Sequence, residues 1–414
     1  MTRKMKDSGV EWIGEIPEGW SIRRLRFLCS INTGNKDTVN AKTDGQYPFY
    51  VRSPKIEKID TYTFDGEAVL TAGDGVGAGK VFHYINGKFD YHQRVYNLHS
   101  FENIKGKYVY YYLKENFIKE IEKSNAKSTV DSVRLPMLLN FPIVLPSIDE
   151  QSKIISYLDN KCNKIDQTIE KEKQVIEKLK EYKQSIITEA VTKGLNHDVK
   201  IKYSGVEWIG KIPEHWENRK LKSILSETMQ YGANESGELY NNNDPRYIRI
   251  TDITLDNKLK DNGKLSLPID IAKPYLLDEG DILFARSGAT VGKSFIFKEE
   301  FGLSAFAGYL IKAKINKNNA IPLFVYYYTL SNSYNEWKNR IFIQATIQNI
   351  GADKYSNMNI AIPPIVEQQE IVDYLDKKCS AIDKLITNKE KVIEKLTEYK
   401  KSLIYECVTG KREV

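Results

Sequence analysis

Two glycine-rich segments carry the residue types that could bind a phosphate group. Ser287-Gly-Ala-Thr-Val-Gly-Lys-Ser294 and Gly73-Asp-Gly-Val-Gly-Ala-Gly-Lys80 both contain the Gly-Lys pair of a nucleotide-binding phosphate loop. Such a loop needs glycine at its first position and must open a helix. Ser287 and Asp74 stand at that position instead, and Ser294–Phe297 has the pattern of a strand. We therefore predict two hairpin tips whose glycines let the backbone approach another group closely.

Basic and polar residues accompany both segments. Arginine pairs with guanine and glutamine with adenine in the major groove of DNA, while lysine and backbone amides hold phosphates. We therefore predict a DNA-contacting set in each half of the chain, and a solvated surface loop is the alternative for any single member. The first set is Arg52, Ser53, Lys55, Gly75, Lys80, Gln93, Arg94 and Lys127. The second set is Arg249, Thr251, Arg286, Ser287, Lys293, Gln344, Thr346 and Gln348.

The two sets belong to a chain that is internally duplicated. Residues 8–14 return as residues 204–210, and a motif that begins at Glu150-Gln151 returns at Glu367-Gln368. The interiors between these motifs differ in length and sequence. Similar borders around dissimilar interiors indicate a shared scaffold that holds two separately variable domains. Within those interiors, we align the tetrapeptide 50–53 with the tetrapeptide 247–250.

Each half ends in a segment that lacks proline and glycine and has apolar residues at near-heptad spacing. This pattern predicts two long helices that pair with each other, each of about 40 residues and about 60 Å. The residues predicted to pack the helix pair are Ile154, Leu158, Ile165, Ile169, Leu179, Ile371, Leu375, Ile382, Ile386 and Leu396. Cys162 and Cys379 lie on the same stripes, so we expect both to be core residues.

The interiors contain short β-branched and aromatic runs separated by turn-forming residues, which is typical of strands. One helix is predicted near the end of each interior, around 107–123 and 322–340. The predicted fold class is α+β, with two domains of mixed or antiparallel sheet plus helices. Two long antiparallel paired helices with pseudo-two-fold symmetry separate them. The predicted boundaries are 1–148 and 195–365 for the domains, and 149–194 and 366–414 for the long helices.

Composition excludes several functional classes. No apolar run approaches the roughly 20 residues of a membrane span, and the four cysteines and five histidines lack metal-ligand or disulfide spacing. We found no methyltransferase motif, no dinucleotide fingerprint and no nucleophile paired with a base. We expect a cytoplasmic protein that is not an enzyme and holds no cofactor or metal. A stand-alone DNA-modifying enzyme with an unrecognised site and a coiled-coil adaptor are the alternatives.

Three motifs resemble those of the specificity subunits of type I restriction–modification systems. Residues 8–20 and 204–216 resemble the opening of their domains, and residues 280–293 resemble the strand–glycine–strand signature of their target recognition domains. Residues 363–375, with an earlier copy at 146–158, resemble the start of their conserved helices. The first glycine tip departs from the signature because it lacks the arginine that stands at 286, so we expect Arg52 or Arg94 to make the key contacts there.

The resemblance implies a function and a set of partners. Subunits of this family read a bipartite site in double-stranded DNA with two target recognition domains. They also scaffold two methyltransferase (modification) subunits and motor-nuclease (restriction) subunits. S-adenosylmethionine, ATP and Mg²⁺ are then expected in the partner subunits and not in this chain.

Overall fold

The computed structural model of the chain describes residues 3–75, 77–125, 132–254, 258–343 and 349–414. The chain divides into two compact units, of which unit 1 is Met1–Lys173 with Glu390–Val414 and unit 2 is Gln174–Lys389. Each long helix therefore contributes one part to each unit. The domain boundaries at 148, 194 and 365 stay a prediction.

Unit 1 combines strands with short helices and the first part of a long helix. Its strands are β1 (Met5–Asp7), β2 (Glu15–Pro17), β3 (Ser21–Arg24), β4 (Ser30–Thr33), β5 (Tyr47–Tyr50), β6 (Ile56–Ile59), β7 (Phe64–Ala72), β8 (Phe82–Tyr91), β9 (Val95–His99) and β10 (Pro142–Leu145). Its helices are α1 (Gly106–Asn116), α2 (Ile118–Asn125), α3 (Leu135–Asn140) and the first part of α4 (Ile148–Lys193).

Unit 2 follows the same plan. Its strands are β11 (Ile201–Tyr203), β12 (Lys211–Pro213), β13 (Glu217–Lys220), β14 (Gln230–Tyr231), β15 (Glu238–Leu239), β16 (Arg246–Ile248), β17 (Leu265–Ser266), β18 (Ile282–Ala285), β19 (Ser294–Ile296), β20 (Ser304–Phe306), β21 (Leu310–Ala313) and β22 (Asn359–Ile362). Its helices are α5 (Ile269–Ala272), α6 (Pro322–Thr329), α7 (Asn332–Ile343), α8 (Ala352–Ser356) and the first part of α9 (Ile365–Val408). The last part of α9 belongs to unit 1.

The sheets are mixed or antiparallel, as predicted. In unit 1 the main sheet has the order β4-β9-β7-β8-β5-β6, in which β5 and β8 run parallel and the other neighbours antiparallel. Unit 2 divides the corresponding strands between an antiparallel sheet, β14-β21-β18-β19, and a mixed sheet, β15-β17-β16-β20. The helix predicted near the end of each interior is present but interrupted, so that α1 is followed by α2 and α6 by α7.

The two long helices run antiparallel within each unit. In unit 1, Leu158 near the start of α4 shares a hydrophobic cluster with Leu403 near the end of α9. In unit 2, Val191 near the end of α4 shares a cluster with Leu375 near the start of α9. The predicted pair of long helices is therefore confirmed, and the helices have 46 and 44 residues.

The predicted packing residues differ in their burial. Ile154, Leu158, Ile165, Ile371, Leu375 and Ile382 are buried, whereas Ile169, Leu179, Ile386 and Leu396 are half-buried. Cys162 and Cys379 are both buried, as expected. Two ion pairs add charge complementarity between the helices, since Lys400 donates to Asp166 at 2.6 Å and Lys183 donates to Asp383 at 2.7 Å. Each lies inside one unit, so the duplicated sequence makes the same contact twice.

In each unit, a tryptophan from the opening motif contacts the start of one long helix and the residue that follows the end of the other. The indole N–H of Trp20 donates to Glu150 at the start of α4 (3.0 Å), and a Cβ at Gly410, after the end of α9, would lie 2.9 Å from the Trp20 ring. Unit 2 repeats the arrangement, as Trp216 donates to Glu367 (3.1 Å). There Gly194, which follows α4, adopts φ +76°, the left-handed conformation that glycine accommodates at helix ends.

A buried glutamine next to each glutamate satisfies backbone groups of its own unit. The side-chain oxygen of Gln368 accepts the N–H of Ile321 at 2.8 Å, and its amide nitrogen donates to the carbonyl of Pro363 at 2.8 Å. Gln151 does the same with Lys105 (2.8 Å) and Pro146 (3.1 Å). Since buried polar groups need partners, these contacts explain why the Glu-Gln pair begins both helices.

We predict that Gln368→Leu lowers the stability of unit 2. The substitution removes the partner of the N–H of the half-buried Ile321 and of the buried carbonyl of Pro363, which costs about 2 kcal/mol in the free energy of unfolding. Urea-induced unfolding followed by circular dichroism measures this change. The neighbouring Gln369 is exposed, so Gln369→Leu is the matched control and should stay within roughly 0.5 kcal/mol of the unaltered protein. Equal effects of the two substitutions would contradict the prediction.

Candidate nucleic-acid interface

Both glycine-rich segments are hairpin tips, as predicted. Residues 73–81 connect the antiparallel strands β7 and β8, and residues 286–293 connect β18 and β19. A strand follows each tip where a phosphate loop would need a helix. The tips turn alike, since Gly75 and Gly288 have φ of +74° and +79° and accept the N–H of the residue three positions later. The two tips are therefore equivalent structures with different side chains.

Backbone hydrogen bonds define which residues correspond. The N–H of Gly73 donates to the carbonyl of Arg94 (2.8 Å), and the N–H of Arg286 donates to the carbonyl of Tyr309 (3.0 Å). Arg286 therefore occupies the place of Gly73, and Tyr309 that of Arg94. Asp74 and Ser287, one residue further along the chain, also correspond. Asp74 forms an antiparallel bridge with Ser132, and Ser287 forms one with Asn349.

In unit 1 the tip brings two predicted arginines together on one carboxylate. Arg52, which follows β5, donates through Nη1 to one oxygen of Asp74 at 2.9 Å. Arg94, between β8 and β9, donates through Nη1 to the other oxygen at 2.7 Å. The side chains are 42% (Arg52), 58% (Arg94) and 29% (Asp74) exposed. We call this group the Asp74 cluster; it presents two guanidinium groups to solvent.

The charge of the Asp74 cluster is fixed at neutral pH. Partial burial would raise the pKa of Asp74, but the hydrogen bonds and positive charges of Arg52 and Arg94 outweigh it and lower the pKa below its ordinary value. Asp74 therefore stays ionised at neutral pH.

The other predicted residues of unit 1 that the structure describes belong to the tip or follow Arg52 or precede Arg94 closely in sequence. Gln93 is exposed and donates to Asp37 at 2.8 Å. Ser53 donates to the carbonyl of Lys55 (3.2 Å), and Lys55 pairs with Glu57 at 2.9 Å. The tip itself contains Gly75 and ends at the exposed Lys80. Lys127 lies outside the described residues.

In unit 2 the arginine is a residue of the tip itself, whereas in unit 1 the two arginines come from neighbouring segments. The guanidinium carbon of Arg286 lies 4.9 Å from the centroid of the Tyr231 ring, a cation–π contact. Its Nε is buried and has no hydrogen-bond acceptor among the described residues. Tyr309, at the place of Arg94, is 62% exposed. One arginine and two tyrosines thus replace the Asp74 cluster.

Among the remaining predicted residues of unit 2 that the structure describes, Arg249 and Lys293 make internal contacts. Arg249 donates through Nε and Nη2 to the buried Asp252 at 3.1 and 2.8 Å. Ser287 is half-buried beside Arg286, and Thr251 is exposed. Lys293 donates to the carbonyl of Thr254. Gln344, Thr346 and Gln348 lie outside the described residues.

The alignment of 50–53 with 247–250 is wrong by one residue. Tyr50 pairs with Tyr91, whose neighbour His92 donates its N–H to Tyr50. In unit 2 the same two contacts involve Ile248, through Phe306 and Ala307. Arg52 therefore corresponds to Ile250, and Arg249 to the buried Val51. The tyrosine and arginine shared by the two tetrapeptides misled the sequence comparison, because strand pairing sets the register.

Sequence reasoning did not include Asp74, Tyr231 and Tyr309 among the candidate residues. Asp74 was visible only as a departure from the phosphate-loop pattern, and an acidic residue inside a glycine-rich basic segment is the signal that could have found it. The tyrosines are distant in sequence from Arg286, so no local pattern linked them to it.

Other chemistry finds no support in the described part of the chain. No group of three or more His, Cys, Asp or Glu side chains there is arranged to hold a metal ion. None of the helices among these residues has the length and apolar character needed to cross a lipid bilayer.

Comparisons with known proteins agree on one family. The model of the type I restriction modification DNA specificity domain matches residues 17–181 and 213–396. The chain is 24% identical to the type I restriction enzyme EcoDI specificity subunit of Escherichia coli, over 93% of this chain and 87% of that protein. It is 29% identical to the putative type I restriction enzyme MjaX specificity subunit of Methanocaldococcus jannaschii, over 97% of this chain and 96% of that protein.

A solved structure shows the same fold. It comes from work on the complex assembly and conformational transition of the type I R-M system, and it matches with a TM-score of 0.71 and 15% identity over 96% of this chain and 99% of that chain. Since the family model covers most of the chain in two copies, this protein belongs to the family of type I restriction–modification DNA specificity subunits.

Proposed function

We propose that each unit reads one half of a bipartite site in double-stranded DNA, with its glycine-rich tip entering the duplex. The observation that carries this proposal is the presence of arginine at both tips, as the exposed Arg52 and Arg94 on Asp74 in unit 1 and as the half-buried Arg286 in unit 2. Arginine donates two N–H groups to guanine in the major groove, which makes it the commonest base-specific contact. The chain itself is non-catalytic.

The predicted residues divide into two roles. Arg52, Arg94 and Arg286 carry base recognition, because their guanidinium groups are directed by the carboxylate of Asp74 or by the ring of Tyr231. The residues that supplement them at phosphates or neighbouring bases are Ser53, Lys55, Gly75, Lys80, Gln93, Lys127, Arg249, Thr251, Ser287, Lys293, Gln344, Thr346 and Gln348. Arg249 ranks below Arg286, since its fork is bound to Asp252.

The partners follow from family membership. The proposed assembly contains two methyltransferase subunits, which use S-adenosylmethionine, and motor-nuclease subunits, which use ATP and Mg²⁺, in the cytoplasm. The contacts at Trp20 and Trp216 support two equivalent docking sites, because each tryptophan joins the start of one long helix to the end of the other. No described feature favours a stand-alone enzyme or an adaptor without DNA.

We expect Arg286→Ala to relax or abolish recognition in one half-site alone. Loss of a bidentate base contact should cost about 1–3 kcal/mol of discrimination. Sequencing of methylated DNA from a host that carries this chain and its methyltransferase gives the recognised site. Arg219→Ala removes a half-buried arginine of unit 2 that pairs with Glu217 and donates to the carbonyl of Ser223, outside the tip, so this control should leave the site unchanged. An unaltered site with Arg286→Ala would count against the role of the tip.

Exchange of residues 20–148 for the corresponding segment of another family member should change one half-site and preserve the other. The reason is that β4 to β9 and the Asp74 cluster all lie in this segment. The same sequencing of methylated DNA measures the outcome. A simultaneous change in both half-sites would show that the units do not read independently.

The purified chain, without its partners, should neither cut DNA nor transfer methyl groups from S-adenosylmethionine. It should bind DNA with an affinity that falls steeply as the salt concentration rises, since phosphate contacts release counterions. Measurements of both activities and of binding between about 50 and 200 mM salt test this. Methyl transfer by the chain alone would support the enzyme alternative, and salt-independent failure to bind DNA would support the adaptor.

A further inference from the structure

The Asp74 cluster joins three separate parts of unit 1 at one carboxylate. Arg52 comes from the end of β5, Arg94 from the turn between β8 and β9, and Asp74 from the glycine-rich tip. Each arginine uses one terminal nitrogen on Asp74, so the rest of each guanidinium fork is directed elsewhere. Both arginine side chains are substantially exposed.

The glycines of the tip make this contact sterically possible. A Cβ at Gly77 would lie 2.1 Å from the carbonyl oxygen of Arg52, and a Cβ at Gly73 would lie 3.0 Å from that of Arg94. Larger residues would push the tip away from the two segments that carry the arginines. The close approach predicted for the glycines therefore serves to bring the Asp74 carboxylate within reach of both guanidinium groups.

The cluster contributes little to the stability of the fold. Ion pairs between exposed side chains have small effects on unfolding because solvent screens them and ordering two long side chains costs entropy. The contact instead restricts the conformations of the Arg52 and Arg94 side chains. An arginine that is already fixed loses less conformational freedom when it binds, which favours binding in that one geometry.

The negative charge of Asp74 also selects the kind of partner. A carboxylate between two guanidinium groups reduces the net positive charge and repels phosphate groups that approach closely. It is compatible with base edges, because guanine offers acceptors to arginine and cytosine offers an amino group to aspartate. The cluster therefore suits a G·C pair better than the DNA backbone.

We infer that Asp74 is a positioning residue for DNA recognition by unit 1, which holds Arg52 and Arg94 side by side and directs them to guanine in one half-site. The inference rests on the proposed function and adds a specificity determinant to it. Unit 2 has no counterpart, since Ser287 stands at the place of Asp74 and Tyr309 at that of Arg94. The device should therefore act on one half-site only.

The test uses the full chain in complex with its methyltransferase subunits. Sequencing of methylated DNA first defines the bipartite site. Binding is then measured to the cognate duplex, to duplexes altered in either half-site, and to a random duplex. Asp74→Asn should reduce discrimination at a G·C pair of one half-site by roughly ten-fold or more, while affinity for the random duplex stays equal or rises because a negative charge is lost.

Asp60→Asn is the matched control. Asp60 is an exposed acid of the same unit that pairs with Lys42 at 2.5 Å, so its loss changes the net charge equally without touching the cluster. Discrimination should be unaffected by this substitution. Thermal unfolding of both variants shows whether a loss of discrimination accompanies a loss of folding.

Arg94→Lys provides a second variant that does not depend on removing Asp74. It keeps the positive charge but loses the planar fork, so discrimination at the same half-site should fall while the salt dependence of binding remains. The inference is overturned if Asp74→Asn behaves like Asp60→Asn, if both half-sites change, or if cognate and random duplexes weaken equally. Absence of any site preference in the unaltered complex would instead overturn the proposed function.

Discussion

The fold depends on one tryptophan in each unit, which contacts the start of one long helix and the end of the other. Trp20 contacts Glu150 at the start of α4 and Gly410 after α9, and Trp216 contacts Glu367 at the start of α9. A single site that binds opposite ends of two helices requires the helices to run antiparallel. The buried glutamine next to each glutamate makes the geometry specific, because its amide accepts one backbone N–H and donates to one backbone carbonyl, and an apolar side chain would leave both without partners.

This constraint explains why the duplicated motifs stay alike while the segments between them diverge. The motifs supply both sides of one contact surface, so a change on one side would leave a buried partner unsatisfied. The side chains at the tips are not required to complement a buried partner within the scaffold. The contacts of Asp74 with its two arginines and of Arg286 with Tyr231 lie at equivalent hairpin tips, but they involve residues at different positions of the fold. The scaffold is thus fixed by internal complementarity, and the tips are free to complement different outside partners.

The sequence predicted those parts of the molecule that have local periodicity. The stripes of α4 and α9 and the glycine tips between strands were identified correctly, because near-heptad spacing and turn residues report directly on backbone conformation. Long-range pairing was not predictable in the same way. The register that places Ile250, and not Arg249, at the position of Arg52 depends on which strand lies beside β5. The contact of Asp74 with Arg52 and Arg94 likewise arises only when three distant segments meet.

The two units show two physical solutions to the same difficulty. A long arginine side chain at an exposed tip would sample many rotamers, and binding DNA would then require ordering it. Unit 1 restricts two arginines with a shared carboxylate, and unit 2 restricts one arginine over an aromatic ring. A carboxylate adds an acceptor and a negative charge next to the bases, whereas a ring adds an apolar surface and no charge. Because these neighbours differ in what they accept and repel, the proposed function predicts that the two units select different base pairs.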